Sequence, residues 1–265
     1  RGCVVARLPL MTDQPVHSAP VLGIDIGGSG IKGAPVDLAT GEFSADRVRI
    51  PTPQPATPAA VAETVVELVK RFDLPDDAAI GVTFPAVVQH GVARSAANVD
   101  GSWIGTNIEH VLGDALGRPV LAVNDADAAG YAETLYGAAR STSGVTFICT
   151  LGTGIGTAIV ADGVLVPNLE LGHLEIDGHD AESRAADSAR EREDLDFPQW
   201  AERLQRYFGV IEDLFWPDLI VVGGGVSKHH EKFLPLLHLR APIVPAQLRN
   251  KAGVVGAALF ASTAG

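Results

Sequence analysis

Leu22-Gly23-Ile24-Asp25-Ile26-Gly27-Gly28-Ser29-Gly30-Ile31-Lys32-Gly33 joins a short apolar strand to a carboxylate, clustered glycines and a lysine. Glycines let the backbone turn sharply and bring N–H donors close to a phosphate with no Cβ in the way, and a nearby carboxylate can hold Mg²⁺. The stretch is built to handle phosphate, and two designs compete for it. Gly28 to Gly33 also satisfies GxGxxG, but a dinucleotide-binding Rossmann turn requires a helix directly afterwards. None follows. Ala34-Pro35-Val36-Asp37-Leu38 reads as a second strand, and Ala39-Thr40-Gly41-Glu42 reads as a turn. A plain glycine-rich turn would explain the glycines but not Asp25 and Lys32 beside them.

At 265 residues the chain holds one large domain or two medium ones with proper cores. Apolar content of 46% and charged content of 20% mark a folded globular protein. The formal charge of −12 argues against nucleic-acid or anionic-membrane binding, so any track for a polyanion must be local. Cys3 and Cys149 are too few for a disulfide framework or a cysteine zinc site, which fits a cytoplasmic setting. No apolar run approaches the ~20 residues that span a bilayer. Residues 1–20 read as an extension outside the fold, since Arg1 to Leu10 lack the apolar core of a signal peptide.

Working outward, Thr57 caps a helix with Pro58 at its first position, and Val61, Val65, Leu68, Val69 and Phe72 recur on one face. Ala79 to Phe84 reads as a buried strand, Val87 to Ser95 as a hairpin about His90-Gly91, and Thr106 to Leu116 as a helix. Val120 to Val123 is a strand that delivers Asn124-Asp125 at its carboxyl end, ahead of an alanine-rich helix from Ala126 to Tyr136. Alternating strands and helices imply an α/β sheet, with ligands beyond the carboxyl ends of the strands. Thr146 to Thr150, then Leu151-Gly152-Thr153-Gly154-Ile155-Gly156-Thr157, then Ala158 to Val160 form a second strand, glycine turn and strand. This repeats the opening, so the chain reads as two related lobes, an N-terminal one over 21–125 and a larger C-terminal one over 126–265. The charged run between Asp180 and Asp196 reads as a solvated helix face. Asp196, Pro198 and Gln199 start a helix whose Trp200, Leu204, Tyr207, Ile211 and Leu214 form an apolar stripe. Leu219 to Val222 is a buried strand running into a third glycine loop at Gly223-Gly224-Gly225, which lacks the GK[ST] of a P-loop.

Phosphoryl transfer to a hydroxyl needs a base at the nucleophile, donors and Mg²⁺ around the phosphoryl group, and polar groups on the acceptor. Asp125, at a strand end, can accept a hydroxyl proton. The bland alternative is a helix cap, because Asn124-Asp125 opens a helix and Asp is a favoured cap. Glu170-Leu171-Gly172-His173 places a carboxylate and an imidazole around a glycine, suited to adjacent hydroxyls of a hexose, and Asn98 adds an amide. His173, Glu175 and His179 hint at metal ligation, but the chain has no HExxH helix and no suitable cysteines.

LGIDIGGSGIKGAPVD, AANVDGSWIGTN, VNDADAAGYAE, TLGTGIGTAIV, NLELGHLEIDG and LIVVGGGVS, in this order over Val21 to Phe260, resemble the ROK family of sugar kinases, and within it the polyphosphate-using glucokinases of actinobacteria. The resemblance implies a two-lobed, actin-like ATPase (ribonuclease H-like) α/β fold of sugar-kinase type. It also implies Mg-dependent phosphorylation of glucose, with mannose as a second acceptor, at the 6-hydroxyl. Carried across, Asp125 matches the general base, and Asn98, Asn124, Glu170 and His173 match sugar contacts. Asp25, Gly27, Gly28, Ser29 and Lys32 match the first phosphate hairpin, Thr153 and Gly154 the second, and Gly224 and Gly225 the loop that meets a nucleotide in ATP-using relatives. Glu182, at a helix start, is preferred to Glu175 as the third acidic sugar contact. Many ROK proteins carry a zinc-binding CxCGxxGCxE segment after this histidine. Asp177 to Glu182 has no cysteine, so zinc is not expected and His173 must be oriented otherwise.

The resemblance sets the donor as polyphosphate, with ATP as an additional or alternative one. A polyphosphate track has candidates in Arg184, Arg190, Arg192, Arg203, Arg206, Lys228 and Lys232, although most lie beside acids. Relatives are commonly homodimers, and the helix ending at Trp216 offers a contact. The rival readings are an ATP-only hexose or mannose kinase and a non-catalytic sugar sensor. A sensor would need a DNA-binding domain, for which the 20 residues before Val21 are too few.

Overall fold

The computed structural model describes residues 21–263 and divides the chain into two units, one running to Ala132 and resuming at Lys251, the other spanning Glu133–Asn250. The proposed extension over 1–20 lies outside the described residues.

In the first unit β1 (Val21–Gly27) and β2 (Gly30–Asp37) form an antiparallel hairpin in which Asp25 stands opposite Lys32. A strand, not a helix, follows the glycines, which removes the Rossmann design. Short β3 (Glu42–Phe43) and β4 (Val48–Ile50) both pair with β2. Helix α1 (Pro58–Val69) begins as expected, with Thr57 Oγ1 accepting from the Ala60 N–H at 3.4 Å. β5 (Ile80–Phe84) runs parallel to β1. β6 (Val88–Gln89) and β7 (Val92–Ala93) form the expected small hairpin, its turn made by left-handed His90 and Gly91. After α2 (Ile108–Leu116), β8 (Val120–Asn124) runs parallel to β5 and leads straight into α3 (Asp125–Tyr136). The sheet order is β3-β2-β1-β5-β8. Leu22, Ile24, Val61, Val65, Leu68, Val82, Ile108 and Leu112 make the core between this sheet and α1 and α2.

The second unit repeats the plan. β9 (Val145–Leu151) and β10 (Ile155–Ala161) form an antiparallel hairpin extended by β11 (Val164–Val166). β12 (Glu175–Ile176) and β13 (His179–Asp180) make a small separate hairpin. The charged run is not one solvated helix face. It folds into α4 (Ala181–Ala185) and α5 (Asp187–Arg192), joined at buried Ala186, and these bury Ala181, Ala185 and Ala189. Helix α6 (Phe197–Phe215) starts with a complete capping box, Asp196 accepting from Gln199 N and Gln199 from Asp196 N. Its Trp200, Leu204, Tyr207 and Ile211 are buried, but Leu214 is 58% exposed and leaves the expected stripe. β14 (Leu219–Gly223) is parallel to β9, and β15 (Ile243–Pro245) to β14.

Helix α7 (Ala252–Ser262) belongs to the first unit, although the sequence reading placed 126–265 in one lobe. Its run of small and apolar residues lies close on β1 and β5. A Cβ at Gly23 would fall 1.9 Å from the Val254 carbonyl oxygen, and one at Gly81 1.9 Å from that of Ala257. The two glycines thus let a helix backbone approach a strand more closely than any side chain would allow. Among the described residues no helix is long and apolar enough to cross a membrane.

Candidate functional site

In the first unit the Asp25 carboxylate is half-buried between two donors. Lys32 Nζ reaches Oδ2 at 3.1 Å, and Thr83 Oγ1 donates to Oδ1 at 2.9 Å. The strand register accounts for both: Lys32 is its partner on β2 and Thr83 its partner on β5. Thr83 is fully buried and was missed from sequence, because only the pairing of β1 with β5 brings it beside Asp25.

Gly28 lies against Asn98. A Cβ there would fall 2.7 Å from the Asn98 Cβ and 2.9 Å from its carbonyl oxygen, so the glycine hairpin and this proposed sugar contact are in direct contact. Asn98 itself adopts φ 61°, a left-handed conformation that Asn tolerates. Its loop is anchored by Trp103, which is fully buried and donates its indole N–H to Ala56 O at 2.9 Å.

Asn124 and Asp125 divide two tasks. Asn124, 7% exposed, accepts from the N–H groups of Ala126 (2.8 Å) and Asp127 (3.0 Å), and its amide donates to Ala86 O at 2.9 Å. The cap of α3 is therefore Asn124. Its remaining amide hydrogen is the one available to a ligand. Asp125 is at the first helical position, exposed, where the N-terminal dipole favours a carboxylate, and its Oδ1 also accepts from the Ala126 N–H at 2.9 Å.

In the second unit Glu170 and His173 flank a 3₁₀ turn over Leu171–His173. Thr157, 2% exposed and also missed from sequence, pins the turn by donating to Leu169 O at 2.6 Å and accepting from Leu171 N at 3.1 Å. Gly172 permits the close packing, since a Cβ there would fall 2.3 Å from Ile155 O. The orientation of His173 comes from Asp180, whose Oδ2 is 2.8 Å from Nδ1. That bond raises the imidazole pKa above its ordinary value, and the charges of Glu182, Asp180 and Glu170 add to the shift against partial burial. With Nδ1 engaged, Nε2 is the nitrogen left for a ligand.

Glu182 Oε2 accepts from Ile155 N at 2.7 Å, so the helical glutamate is tied to the second glycine hairpin. Glu175 is exposed on β12. Ser188 holds the same hairpin from the other side, its N–H on Gly152 O at 3.1 Å and its hydroxyl on Thr153 O at 2.6 Å. Gly224, at φ 84°, closes against the end of β9, where a Cβ would be 2.1 Å from Leu151 O. Gly225 faces open space. The two loops expected to meet a donor are thus adjacent within this unit.

The arginines of the charged run are mostly engaged in structure. Arg190 bonds Asp187 at 2.6 Å and lies over the Phe197 ring, as does Lys232. Arg192 donates to Ser183 O, and Arg203 to Arg184 O and Glu193, whose carboxyl Arg203 holds down to about 2. Arg206 forks onto Asp177 with bonds of 2.9 and 2.8 Å. Arg184, Arg203 and Arg206 line one cavity of about 230 Å³. Among the described residues no group of three or more His, Cys, Asp or Glu is arranged to hold a metal.

The model of the ROK family matches residues 21–187. The chain is 53% identical over 238 residues, 89% of each protein, to a polyphosphate glucokinase of Mycobacterium tuberculosis. Among solved structures it resembles an inorganic polyphosphate/ATP-glucomannokinase of Arthrobacter sp. strain KM, with 55% identity, a TM-score of 0.87, and coverage of 92% of this chain and 99% of that one. A ROK glucokinase of Streptomyces griseus, in complex with glucose and AMPPNP, is 23% identical with a TM-score of 0.76 over 91% of this chain and 98% of that one, a likeness of fold.

Proposed function

The chain belongs to the ROK family, and from that premise we propose that it transfers a phosphoryl group from inorganic polyphosphate, and also from ATP, to the 6-hydroxyl of glucose. The donor assignment is supported by the likeness to the mycobacterial and Arthrobacter enzymes over nearly the whole chain. The chemistry is supported by one observation above the rest: Asn124 accepts from both Ala126 N and Asp127 N, so the exposed Asp125 carboxylate, which also accepts from Ala126 N at 2.9 Å, is not the sole cap of the helix.

In this reading Asp125 accepts the proton of the 6-hydroxyl as the bond to phosphorus forms. Asn98 and the spare amide hydrogen of Asn124 contact the sugar, as do Glu170, the Nε2 of His173 and Glu182. Backbone N–H groups at Gly27, Gly28 and Ser29, and at Thr153 and Gly154, hold donor phosphates, with Lys32 supplying positive charge. Gly224 and Gly225 meet the nucleotide when ATP is the donor.

Asp25 fits a role at Mg²⁺. Each carboxylate oxygen has one hydrogen-bond partner and a further lone pair, and Mg²⁺ is commonly held by one carboxylate together with substrate phosphates and water. The ion would neutralise charge on the transferring group. Mannose as a second acceptor, a homodimeric state and a cytoplasmic location belong to the same proposal.

The test is Asp125→Asn. Glucose binding measured by calorimetry should survive while turnover falls at least ~10²-fold, the scale of a lost general base. Near-normal turnover would remove Asp125 from the chemistry.

A further inference from the structure

Both glycine hairpins are held by their carbonyl oxygens. On the first, Thr52 Oγ1 donates to Gly27 O, Arg49 Nη2 to Ser29 O at 2.8 Å, and Gln54 Nε2 to Gly28 O at 3.5 Å. All three donors come from β4 and the connector after it, and Thr52 is 7% exposed. On the second, Ser188 takes the carbonyls of Gly152 and Thr153 with its N–H and its hydroxyl. A peptide unit is planar and trans, so its C=O and N–H point in opposite directions. Pulling a carbonyl one way therefore aims the next residue's N–H the other way.

We propose that Thr52 and Ser188 are positioning residues for the phosphoryl donor, one for each hairpin, acting through the peptide planes they hold. Thr52 fixes the plane that carries the Gly28 N–H, and Ser188 fixes those that carry the N–H groups of Thr153 and Gly154. Without the clamp a glycine peptide can rotate at little steric cost, and the hairpin would present a carbonyl oxygen where an anion needs a donor. The clamp also gives the charged run a use apart from contact with substrate: α5 brings Ser188 to the hairpin, and Arg190 secures α5 through Asp187.

The inference rests on the kinase reading, so its test has a readout besides turnover. Binding of tripolyphosphate is measured by calorimetry, and KM for donor and for glucose are measured separately in Thr52→Val, Thr52→Ser and Ser188→Ala. Loss of the clamp should raise the tripolyphosphate Kd and the donor KM about tenfold, the scale of one hydrogen bond, and leave glucose KM within about twofold. Thr52→Ser should stay near wild type. Should Thr52→Val not fold, Thr52→Ala takes its place with the same expectation. Unchanged donor binding in the folded variants, or a rise in glucose KM equal to the rise in donor KM, would overturn the proposal. Failure of the kinase reading is a separate result: wild-type protein that binds tripolyphosphate but phosphorylates no sugar.

Discussion

The turn at Gly27–Gly30 and the turn at Gly152–Gly154 occupy the same place in sheets of the same plan, an antiparallel hairpin followed by two parallel strands, yet they are chemically unlike. The first carries a carboxylate, an ammonium and a guanidinium at Asp25, Lys32 and Arg49. The second carries only a threonine and glycines, and the Glu182 carboxylate beside it is committed to Ile155 N. A repeated fold can thus place two glycine turns at equivalent points while assigning charge to one of them. In our reading the first handles the phosphoryl group in motion and its metal, and the second holds the rest of the donor by neutral peptide groups.

The strongest way to break this contrast is to remove the polar side chain of each turn. Asp25→Ala should lower kcat/KM about 10²-fold or more, the scale of a preorganised charge at the transition state, while Thr153→Val should cost about tenfold or less. Steady-state kinetics with glucose and polyphosphate decide it, and equal losses would mean that the hairpins share one task.

A smaller effect separates the glycines. A Cβ on Gly28 meets the Cβ and backbone of Asn98, which cannot yield without moving the loop, whereas one on Gly154 meets the end of the Glu182 side chain. Gly28→Ala should destabilise by about 1–3 kcal/mol and raise glucose KM through Asn98; Gly154→Ala should cost less stability. Thermal melts and glucose titrations test the order, and a more damaging Gly154→Ala would reverse it.

The smallest effect concerns a pKa. Asp180 raises that of His173, so Asp180→Asn should bring it down toward the ordinary histidine range, visible in an NMR titration of the imidazole. The sign for stability follows. Because the folded-state pKa is raised, the stabilisation from this pair is fully present below the ordinary histidine range and is lost as pH rises through the raised value. Wild type and Asp180→Asn should therefore differ in melting temperature at acidic pH and converge above it. An unmoved imidazole titration would show that Asp180 does not orient His173.

Much of this was legible in the sequence where one local signal sufficed. The strand that contains Pro35 excluded a Rossmann turn, Thr57-Pro58 marked a helix start, and the second glycine run announced the repeat. The misses share a physical origin. Thr83, Thr157, Thr52 and Ser188 act through register or through carbonyls far away in the chain, and nothing local distinguishes them from other hydroxyl residues. Helix α7 is apolar on nearly every side, so it has no amphipathic period to read, and its place on β1 and β5 follows from Gly23 and Gly81, which look like ordinary strand glycines. Leu214 has the right spacing for the stripe of α6 yet is exposed, because spacing along a helix does not show how far its packing partners extend.

The most direct test of the account is to supply glucose and Mg²⁺ with either polyphosphate or ATP and to measure glucose 6-phosphate. Product is expected from polyphosphate, with ATP supporting the reaction as well. Absence of product from both donors would contradict it.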